Sequence, residues 1–264
     1  MPLAWSPPVT LPPLAPLLER LVPIIRAAGD VVMKVYATDF AVRGKDDASP
    51  VTEADERAEA LILPALQDLL PGVPVVAEEA VAAGRVPEFD RHFWLVDPLD
   101  GTKEFIGRNG EFTVNVALIE DGNPVLGAVL APALNRLFLG AHGVGAFIEE
   151  GGARSPIRCR HSPAAGLTVV ASRSHGDAAA LDAFLAGRPV AALKSAGSSL
   201  KLCLIANGEA DLYPRLGRTM EWDIAAGHAV LAAAGGKVRT LAGDALRYGK
   251  PGLDNPHFVA SGLD

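Results

Sequence analysis

The chain of 264 residues is predicted to be an α/β protein of two lobes, the first of α+β type, and three patterns lead to this prediction. Apolar residues recur at helical spacing near the start, alternate as in an antiparallel sheet from about residue 112, and finally fall into alternating strand and helix segments. This change predicts an α+β lobe over residues 13–152 and an α/β lobe over residues 153–264. The proline-rich residues 1–12 are expected to form a flexible lead-in.

Two helices are predicted to open the first lobe. The apolar spacing predicts a helix over residues 14–36, in which Pro23 is expected to introduce a kink. Thr52 and Asp55 have the spacing of a capping box, so a second helix is predicted to start after Thr52 and to run over residues 53–70.

Strands are predicted next, and two of them end in pairs of acidic residues. The short strand "VPVVA" is predicted to end in Glu78 and Glu79, and the buried strand "HFWLV" in Asp97 and Asp100. An antiparallel meander is predicted to follow over residues 112–152, because apolar positions alternate there between glycine-containing turns.

The second lobe is predicted from five segments in chain order. They are a strand "LTVVAS", a helix "DAAALDAFLAG", a helix opened by "GSSLK", a strand "ADLYPR" and a helix "WDIAAGHAVLAAAGG" that ends at glycines.

Composition limits the classes of function. The formal net charge is −7, which disfavours a general nucleic-acid-binding protein, because such proteins present a basic face. No apolar run approaches the roughly 20 residues of a membrane span, and the absence of basic residues before Arg20 argues against a secretory signal. Cys159 and Cys203 lack metal-site spacing and are expected to be buried thiols. A cytoplasmic location is therefore expected, either free or loosely bound at the inner face of the membrane.

Acidic residues stand at the ends of several separate predicted elements, namely Asp55, Glu78, Glu79, Asp97, Asp100 and Asp223. If four of them converge, each pair about 4 Å apart repels by roughly 4 kcal/mol at an effective dielectric constant near 20. Such a cluster requires bound cations or shifted pKa values. Oxygen ligands without histidine or cysteine favour Mg²⁺ over Zn²⁺, and Mg²⁺ commonly bridges carboxylates and phosphate. The pattern therefore indicates phosphoryl chemistry by metal-activated water.

Each acidic position also has a structural explanation. Asp-Gly is a common turn, Asp55 and Asp223 can cap helices, and Glu78-Glu79 can be a solvated bend. The functional interpretation depends on their combination.

The motifs "EE" at 78–79, "DPLDGT" at 97–102 and "WDIAAG" at 222–227 followed by "AGG" resemble the signature of the inositol monophosphatase superfamily. The resemblance extends from about residue 14 to the C-terminus. It implies a layered αβαβα sandwich and a Mg²⁺-dependent, lithium-sensitive phosphomonoesterase. The stretches "KDDASPVTEAD", "SRSH", "GSSLK" and "LYPR" are most similar to those of bacterial 3'(2'),5'-bisphosphate nucleotidases. This similarity implies removal of the 3'-phosphate from 3'-phosphoadenosine 5'-phosphate, a by-product of sulfate assimilation, to leave AMP.

The resemblance also implies roles by position. It implies two or three Mg²⁺ ions held by Glu78, Asp97, the carbonyl of Leu99, Asp100 and Asp223. It implies that Asp55 and Thr102, with Glu78, orient and deprotonate the attacking water. It implies that the scissile phosphate is contacted by Gly101 and Thr102, and that the substrate also contacts Glu78, Leu99, Asp100 and Asp223. It implies that the nucleotide and its 5'-phosphate are contacted by His175, Ser198, Lys201 and Arg215.

Several alternatives stay open at this stage. Ser198 and Lys201 are expected on one face of the helix that they open, but Lys201 can also be an ordinary surface residue. Arg215 can pair with Glu221, whose role is unassigned. The same site can act on inositol monophosphate or fructose 1,6-bisphosphate, and a non-catalytic regulatory binding protein is the alternative of another class. Both a monomer and a homodimer are compatible with the sequence.

Overall fold

The computed structural model describes residues 10–44, 50–172 and 178–263, so most of the predicted lead-in over residues 1–12 lies outside the described residues. The α-helices of these ranges are Leu14–Tyr36 (α1), Glu53–Leu69 (α2), Glu78–Ala82 (α3), Thr102–Ile106 (α4), Ala178–Leu185 (α5), Leu200–Ala206 (α6) and Glu221–Ala233 (α7). None of these helices combines the length and the apolar character that crossing a bilayer requires.

The strands form one hairpin and two larger sheets. In chain order they are Val42–Gly44 (β1), Pro50–Thr52 (β2), Val75–Ala77 (β3), His92–Asp100 (β4), Thr113–Glu120 (β5), Asn123–Ala131 (β6), Arg136–Ala141 (β7), Gly145–Glu150 (β8), Ala153–Ile157 (β9), Leu167–Ser172 (β10), Val190–Ala196 (β11), Leu212–Arg215 (β12), Lys237–Thr240 (β13) and Phe258–Ser261 (β14).

The first large sheet has seven strands in the order β3-β4-β5-β6-β7-β8-β9. Only β3 pairs in parallel with its neighbour, whereas β4 to β9 pair in antiparallel order. Strands β5 to β8 form the meander predicted over residues 112–152, and β4 and β9 extend it. The second sheet has five strands in the order β11-β10-β12-β14-β13, with parallel pairs among β10, β11 and β12 and antiparallel pairs to β14.

Helices cover both faces of the seven-stranded sheet. Helices α1 and α2 pack on one face and on each other, whereas α7 packs across strands β4 to β8 on the opposite face and contacts α6. Helix α6 in turn contacts the five-stranded sheet, so the layers follow the order α, β, α, β. Helix α5 connects the parallel strands β10 and β11. The model therefore has the mixed α/β fold that the sequence predicts.

Two hydrophobic cores separate along the seven-stranded sheet. In β4, Trp94 and Val96 belong to the core under α1 and α2, whereas Phe93 and Leu95 belong to the core that includes residues of α6, α7 and the second sheet. This division follows from the alternation of side chains along a strand. Gly127 permits the close approach of α7, because a Cβ atom there would lie 2.4 Å from the carbonyl oxygen of Ala226.

Most predicted elements are confirmed. The first helix has the predicted bounds and is continuous through Pro23, and the second begins at the predicted capping box.

Two differences from the predicted elements were found. Glu78 and Glu79 open helix α3 instead of ending the preceding strand. The sequence patterns also did not predict strands β11, β13 and β14 or the hairpin β1-β2. The division into lobes after residue 152 stays a prediction, and the first large sheet extends to Ile157.

Candidate active site

The strand β4 carries two aspartates on the same face of the sheet because it contains a bulge. In a regular strand, residues three apart such as Asp97 and Asp100 point to opposite faces. Here Asp97 pairs with Asn115 and Asp100 pairs with Thr113, so one extra residue of β4 is accommodated between the two pairs. Because Asn115 and Thr113 are two residues apart, all four side chains belong to the same face.

The first turn of α2 brings Asp55 to the end of β4. One oxygen of Asp55, Oδ2, accepts hydrogen bonds of 2.8 Å from both the backbone N–H and the hydroxyl of Thr52. The other oxygen, Oδ1, lies 3.5 Å from the hydroxyl of Thr102, which also lies 3.3 Å from the carbonyl oxygen of Leu99. Asp55 is therefore a helix cap through one oxygen, and its other oxygen is oriented toward Thr102.

Two further carboxylates come from the starts of helices. Glu78 is the first residue of α3, and Asp223 lies in the first turn of α7, where its Oδ2 accepts a 2.8 Å hydrogen bond from the backbone N–H of Met220. Negative charge is favourable at both positions because of the helix dipole. Asp223 is thus both a cap and a neighbour of Glu78 and Asp100, whose charges act on it.

Gly101 makes the turn between β4 and α4 possible. Its φ of 88° lies in the left-handed region, which glycine adopts without steric cost. A Cβ atom there would also lie 3.3 Å from an oxygen of Glu104 and 3.3 Å from Cβ of Ser198. The glycine therefore allows the end of β4 to approach the loop before α6 closely.

Burial and mutual repulsion disfavour ionisation of these carboxyl groups. The pKa of Asp97 is raised well above its ordinary value by burial, then by the charges of Glu78 and Asp100. Burial also raises the pKa of Asp223, and the charges of Asp100 and Glu78 add to the effect. Burial raises the pKa of Asp100 to about 6, although Lys201 opposes that rise.

The donor chemistry of this group fits a hard divalent cation. All the side-chain donors are carboxylate oxygens, and a cation would relieve the repulsion that raises their pKa values. Within the described ranges, however, no three or more His, Cys, Asp and Glu side chains form a ready-made metal-binding group. The assignment of Glu78, Asp97, Leu99, Asp100 and Asp223 as ligands therefore stays a prediction.

Two cationic side chains lie close together beside the carboxylates. Lys201 is buried, with 4% of its surface exposed, and its Nζ donates to the carbonyl oxygens of Ala196 and Ser198 at 3.2 and 2.5 Å. Burial lowers the pKa of Lys201 to about 8, while the charge of Asp100 raises it and that of Arg215 lowers it. Two neighbouring cations in an acidic protein form a suitable site for an anion.

A cavity of about 380 Å³ joins the two charged groups. Its lining includes Glu78, Asp100, Gly101, Thr102, Ser198, Ser199, Lys201, Tyr213, Arg215, Arg218, Thr219 and Asp223. Asp55, Asp97 and Leu99 are buried and are not among the residues that line this cavity. His175 lies outside the described residues.

One expectation about the cation site is wrong, and two of the alternatives that the sequence left open are excluded. Ser198 does not open a helix with Lys201, because it has a φ of 43° and α6 begins only at Leu200. Lys201 is not a surface residue, since it is buried. Arg215 does not pair with Glu221, because its Nη2 donates to the carbonyl oxygen of Arg218 instead.

The buried Glu221 has a structural role that the sequence did not indicate. Its two oxygens accept hydrogen bonds of 2.7 and 3.0 Å from the backbone N–H groups of Gly249 and Lys250, and the ammonium of Lys250 lies 2.5 Å away. Glu221 therefore anchors the segment around residue 250 to the start of α7.

Sequence reasoning missed several residues of the cavity, among them Ser199, Tyr213 and Arg218. The Nζ atom of Lys201 lies 5.4 Å from the centre of the Tyr213 ring. Tyr213 and Arg218 lie close to Arg215 in sequence, and Ser199 follows Ser198. Position next to predicted site residues is thus the signal by which all three were detectable.

Comparison with known proteins is consistent with this geometry. Residues 14–261 match the model of the inositol monophosphatase family. The chain is 47% identical over 248 residues to the 3'(2'),5'-bisphosphate nucleotidase CysQ of Escherichia coli O157:H7, covering 93% of this chain and 99% of the relative. It is 49% identical over 234 residues to CysQ of Salmonella typhimurium strain LT2, covering 88% and 94%. The crystal structure of CysQ from Bacteroides thetaiotaomicron superposes with a TM-score of 0.78 at 35% identity, covering 94% of this chain and 97% of the other.

Proposed function

Because the chain belongs to the inositol monophosphatase family, we propose that it is a phosphomonoesterase that removes the 3'-phosphate of 3'-phosphoadenosine 5'-phosphate, to give AMP and phosphate. Its relatives named 3'(2'),5'-bisphosphate nucleotidase, which it matches over nearly their whole length, support this substrate class. The enzyme is a hydrolase and depends on a metal ion, as is typical of the family.

The observation that carries this proposal is the pair of cations beside the carboxylates. A bisphosphate presents two anionic groups, and one of them would lie over Asp97, Asp100 and any bound cation. The second requires positive charge elsewhere in the same cavity, and Lys201 and Arg215 supply it. A substrate with a single phosphate would place no second phosphate beside Lys201.

We propose Mg²⁺ as the ion, with two or three ions per site, since the donors are hard oxygens. The ligands of these ions would be Glu78, Asp97, the carbonyl of Leu99, Asp100 and Asp223. When bound, Mg²⁺ would lower the pKa of a water molecule and offset the negative charge that develops on the phosphate oxygens.

The chain itself supplies a proton relay. The Thr102 hydroxyl lies 3.5 Å from Asp55 Oδ1 and 3.3 Å from the carbonyl oxygen of Leu99, so rotation about its C–O bond directs its single proton to one or the other. Burial raises the pKa of Asp55 to about 7, which is suited to a general base near neutral pH. Asp55 would then take the Thr102 proton while that hydroxyl takes one from the attacking water. The two hydrogen bonds from Thr52 keep the other oxygen of Asp55 occupied and the carboxylate oriented.

We further propose that the carboxylates of residues 13–152 act together with the cations of residues 153–264. Asp223 belongs to the second range of residues but would act with the carboxylates of the first. We place the reaction in the cytoplasm. Cys159 and Cys203 are both free and buried, as is ordinary for a protein of a reducing compartment. A homodimer stays a prediction.

The proposal is tested by phosphate release from 3'-phosphoadenosine 5'-phosphate, inositol 1-phosphate and fructose 1,6-bisphosphate, each with and without Mg²⁺. We expect Mg²⁺-dependent release with a strong preference for the nucleotide. Preference for inositol 1-phosphate would retain the carboxylate site and reject the role of Lys201 and Arg215. Preference for fructose 1,6-bisphosphate would retain both groups and reject the nucleotide as the substrate. Release from none of them would favour a non-catalytic binding protein. Equal release with and without Mg²⁺ would reject the metal dependence.

A further inference from the structure

A chain of buried hydrogen bonds links the two parts of the site through Asp100. Its Oδ2 atom accepts a 2.6 Å hydrogen bond from the backbone N–H of Ser199, and the Asn115 amide lies at 3.5 Å from the same oxygen. The Ser199 hydroxyl donates to Asn115 Oδ1 at 2.7 Å and lies 2.9 Å from the hydroxyl of Thr113. Thr113 also lies 3.2 Å from the Ser198 hydroxyl. Ser199, Asn115 and Thr113 are all buried.

The direction of these hydrogen bonds is determined by elimination. The Asn115 oxygen is an acceptor only, so Ser199 uses its single hydroxyl proton there. The Thr113 hydroxyl directs its one proton at the neighbouring hydroxyls of Ser198 and Ser199. The amide nitrogen of Asn115 then faces Asp100, whereas the opposite orientation would place an amide oxygen against a carboxylate. Every donor in the chain therefore points from Thr113 through Ser199 and Asn115 toward Asp100.

This arrangement separates the two oxygens of Asp100. Oδ2 is held by donors from β5 and from the loop before α6, which leaves Oδ1 for the cavity. The same loop is held by the ammonium of Lys201, which donates to the carbonyl oxygens of Ala196 and Ser198. The position of the carboxylate and the position of the cation are thus coupled through the six consecutive residues from Ala196 to Lys201.

We propose that Ser199 is a positioning residue, and that the chain Thr113–Ser199–Asn115 orients Asp100 for binding a divalent cation. This inference rests on the proposed function, because it assigns Asp100 to the metal site of that function. The structure favours this interpretation over a purely structural link, since one end of the chain is a carboxylate that lines the same cavity as Glu78 and Asp223.

Two sets of variants of the full-length protein test the proposal. Ser199→Ala removes the hydroxyl and retains the backbone donor to Asp100. Thr113→Val removes the first donor with little change of shape, and Thr113→Ser is its matched control, because it keeps the hydroxyl and loses only a methyl group. The measurements are Mg²⁺ binding by isothermal titration calorimetry, KM for 3'-phosphoadenosine 5'-phosphate at saturating Mg²⁺, and thermal unfolding.

We expect Ser199→Ala to weaken Mg²⁺ binding by about tenfold, which corresponds to about 1.4 kcal/mol, and Thr113→Val by a smaller factor. KM at saturating Mg²⁺ should stay within twofold of the wild-type value in both variants, and Thr113→Ser should bind Mg²⁺ as the wild type does. Unchanged Mg²⁺ binding in Ser199→Ala would overturn the proposal. Equal weakening in Thr113→Ser and Thr113→Val would also overturn it, because packing would then explain the loss.

Different results would reject the proposed function and the positioning role of Ser199. A wild-type protein that binds Mg²⁺ but releases no phosphate from the nucleotide would reject the proposed function, while the calorimetric comparison would still decide the role of Ser199. If Ser199→Ala does not fold, the pair Thr113→Val and Thr113→Ser decides it alone.

Discussion

The strongest test of the proposed substrate is the replacement of Lys201 by methionine. Methionine has a similar length, so the change removes the buried charge and leaves most of the packing around Tyr213 intact. Lys201 is buried, with 4% of its surface exposed, and among the neighbouring charges that of Asp100 acts on it most strongly. Its loss therefore affects binding of an anion directly and the Asp100 carboxylate indirectly.

The magnitude follows from the burial of the contact. A hydrogen bond to a charged group contributes about 1.5–3 kcal/mol. At 1.4 kcal/mol for each factor of ten, the KM for 3'-phosphoadenosine 5'-phosphate should rise by about 10- to 150-fold. Inositol 1-phosphate lacks the second anionic group, so its KM should change much less.

The pH dependence adds a second signature. The pKa of Lys201 is lowered to about 8, so the amine is charged below that pH and becomes neutral as the pH rises through it. The phosphate groups of the substrate are already ionised above pH 7. The wild-type KM should therefore rise between pH 7 and pH 9, and the KM of Lys201→Met should not.

The assay is steady-state phosphate release at saturating Mg²⁺. Lys194→Met is the matched control, because Lys194 is an exposed residue of β11 whose Nζ donates to the carbonyl oxygen of Glu209. If Lys201→Met has a wild-type KM and the same pH profile, Lys201 does not bind the substrate and the reasoning is wrong.

Three further predictions concern other parts of the molecule. Asp97→Asn should reduce kcat at least 10²-fold and raise the melting temperature of the metal-free protein, because it removes a buried ionisable group that the charges of Glu78 and Asp100 repel; wild-type turnover or a lower melting temperature would contradict this. Gly127→Ala should destabilise by about 1–3 kcal/mol, because its Cβ would lie 2.4 Å from the carbonyl oxygen of Ala226; urea unfolding measures this, and unchanged stability would refute it. Burial lowers the pKa of His228 from 6.5 to about 4, so the neutral ring stabilises the fold above pH 6.5 and this contribution is lost as the pH falls toward 4. The stability of the wild type relative to His228→Gln should therefore fall by up to about 3 kcal/mol between pH 7 and pH 4, and a constant difference in urea unfolding would exclude the histidine as the cause.

Local chemistry explains which elements were predictable. The helices α1 and α2 were recognisable because their apolar spacing, and the pair Thr52 and Asp55, are properties of neighbouring residues. The meander was recognisable for the same reason. The strands β13 and β14 were not, because they are short and pair mainly with each other and with β12, which depends on contacts between distant residues.

The candidate site also has some features that neighbouring residues predict and others that depend on distant contacts. The residue types of the carboxylate group and their positions at element ends are determined by the sequence alone, as is the resemblance to a phosphatase family. The bulge that places Asp97 and Asp100 on one face was indicated only by Pro98, since proline within a sheet is found at edges and bulges.

The tertiary structure decided everything that depends on which distant groups meet. It buried Lys201, separated Arg215 from Glu221, and joined Ser199 to Asp100 across 99 positions of the chain. Sequence patterns report the preferences of neighbouring residues, whereas burial, charge coupling and long-range hydrogen bonds depend on packing between elements. The sequence by itself determined the chemistry available to this protein, and only the fold decided which of its charges lie together.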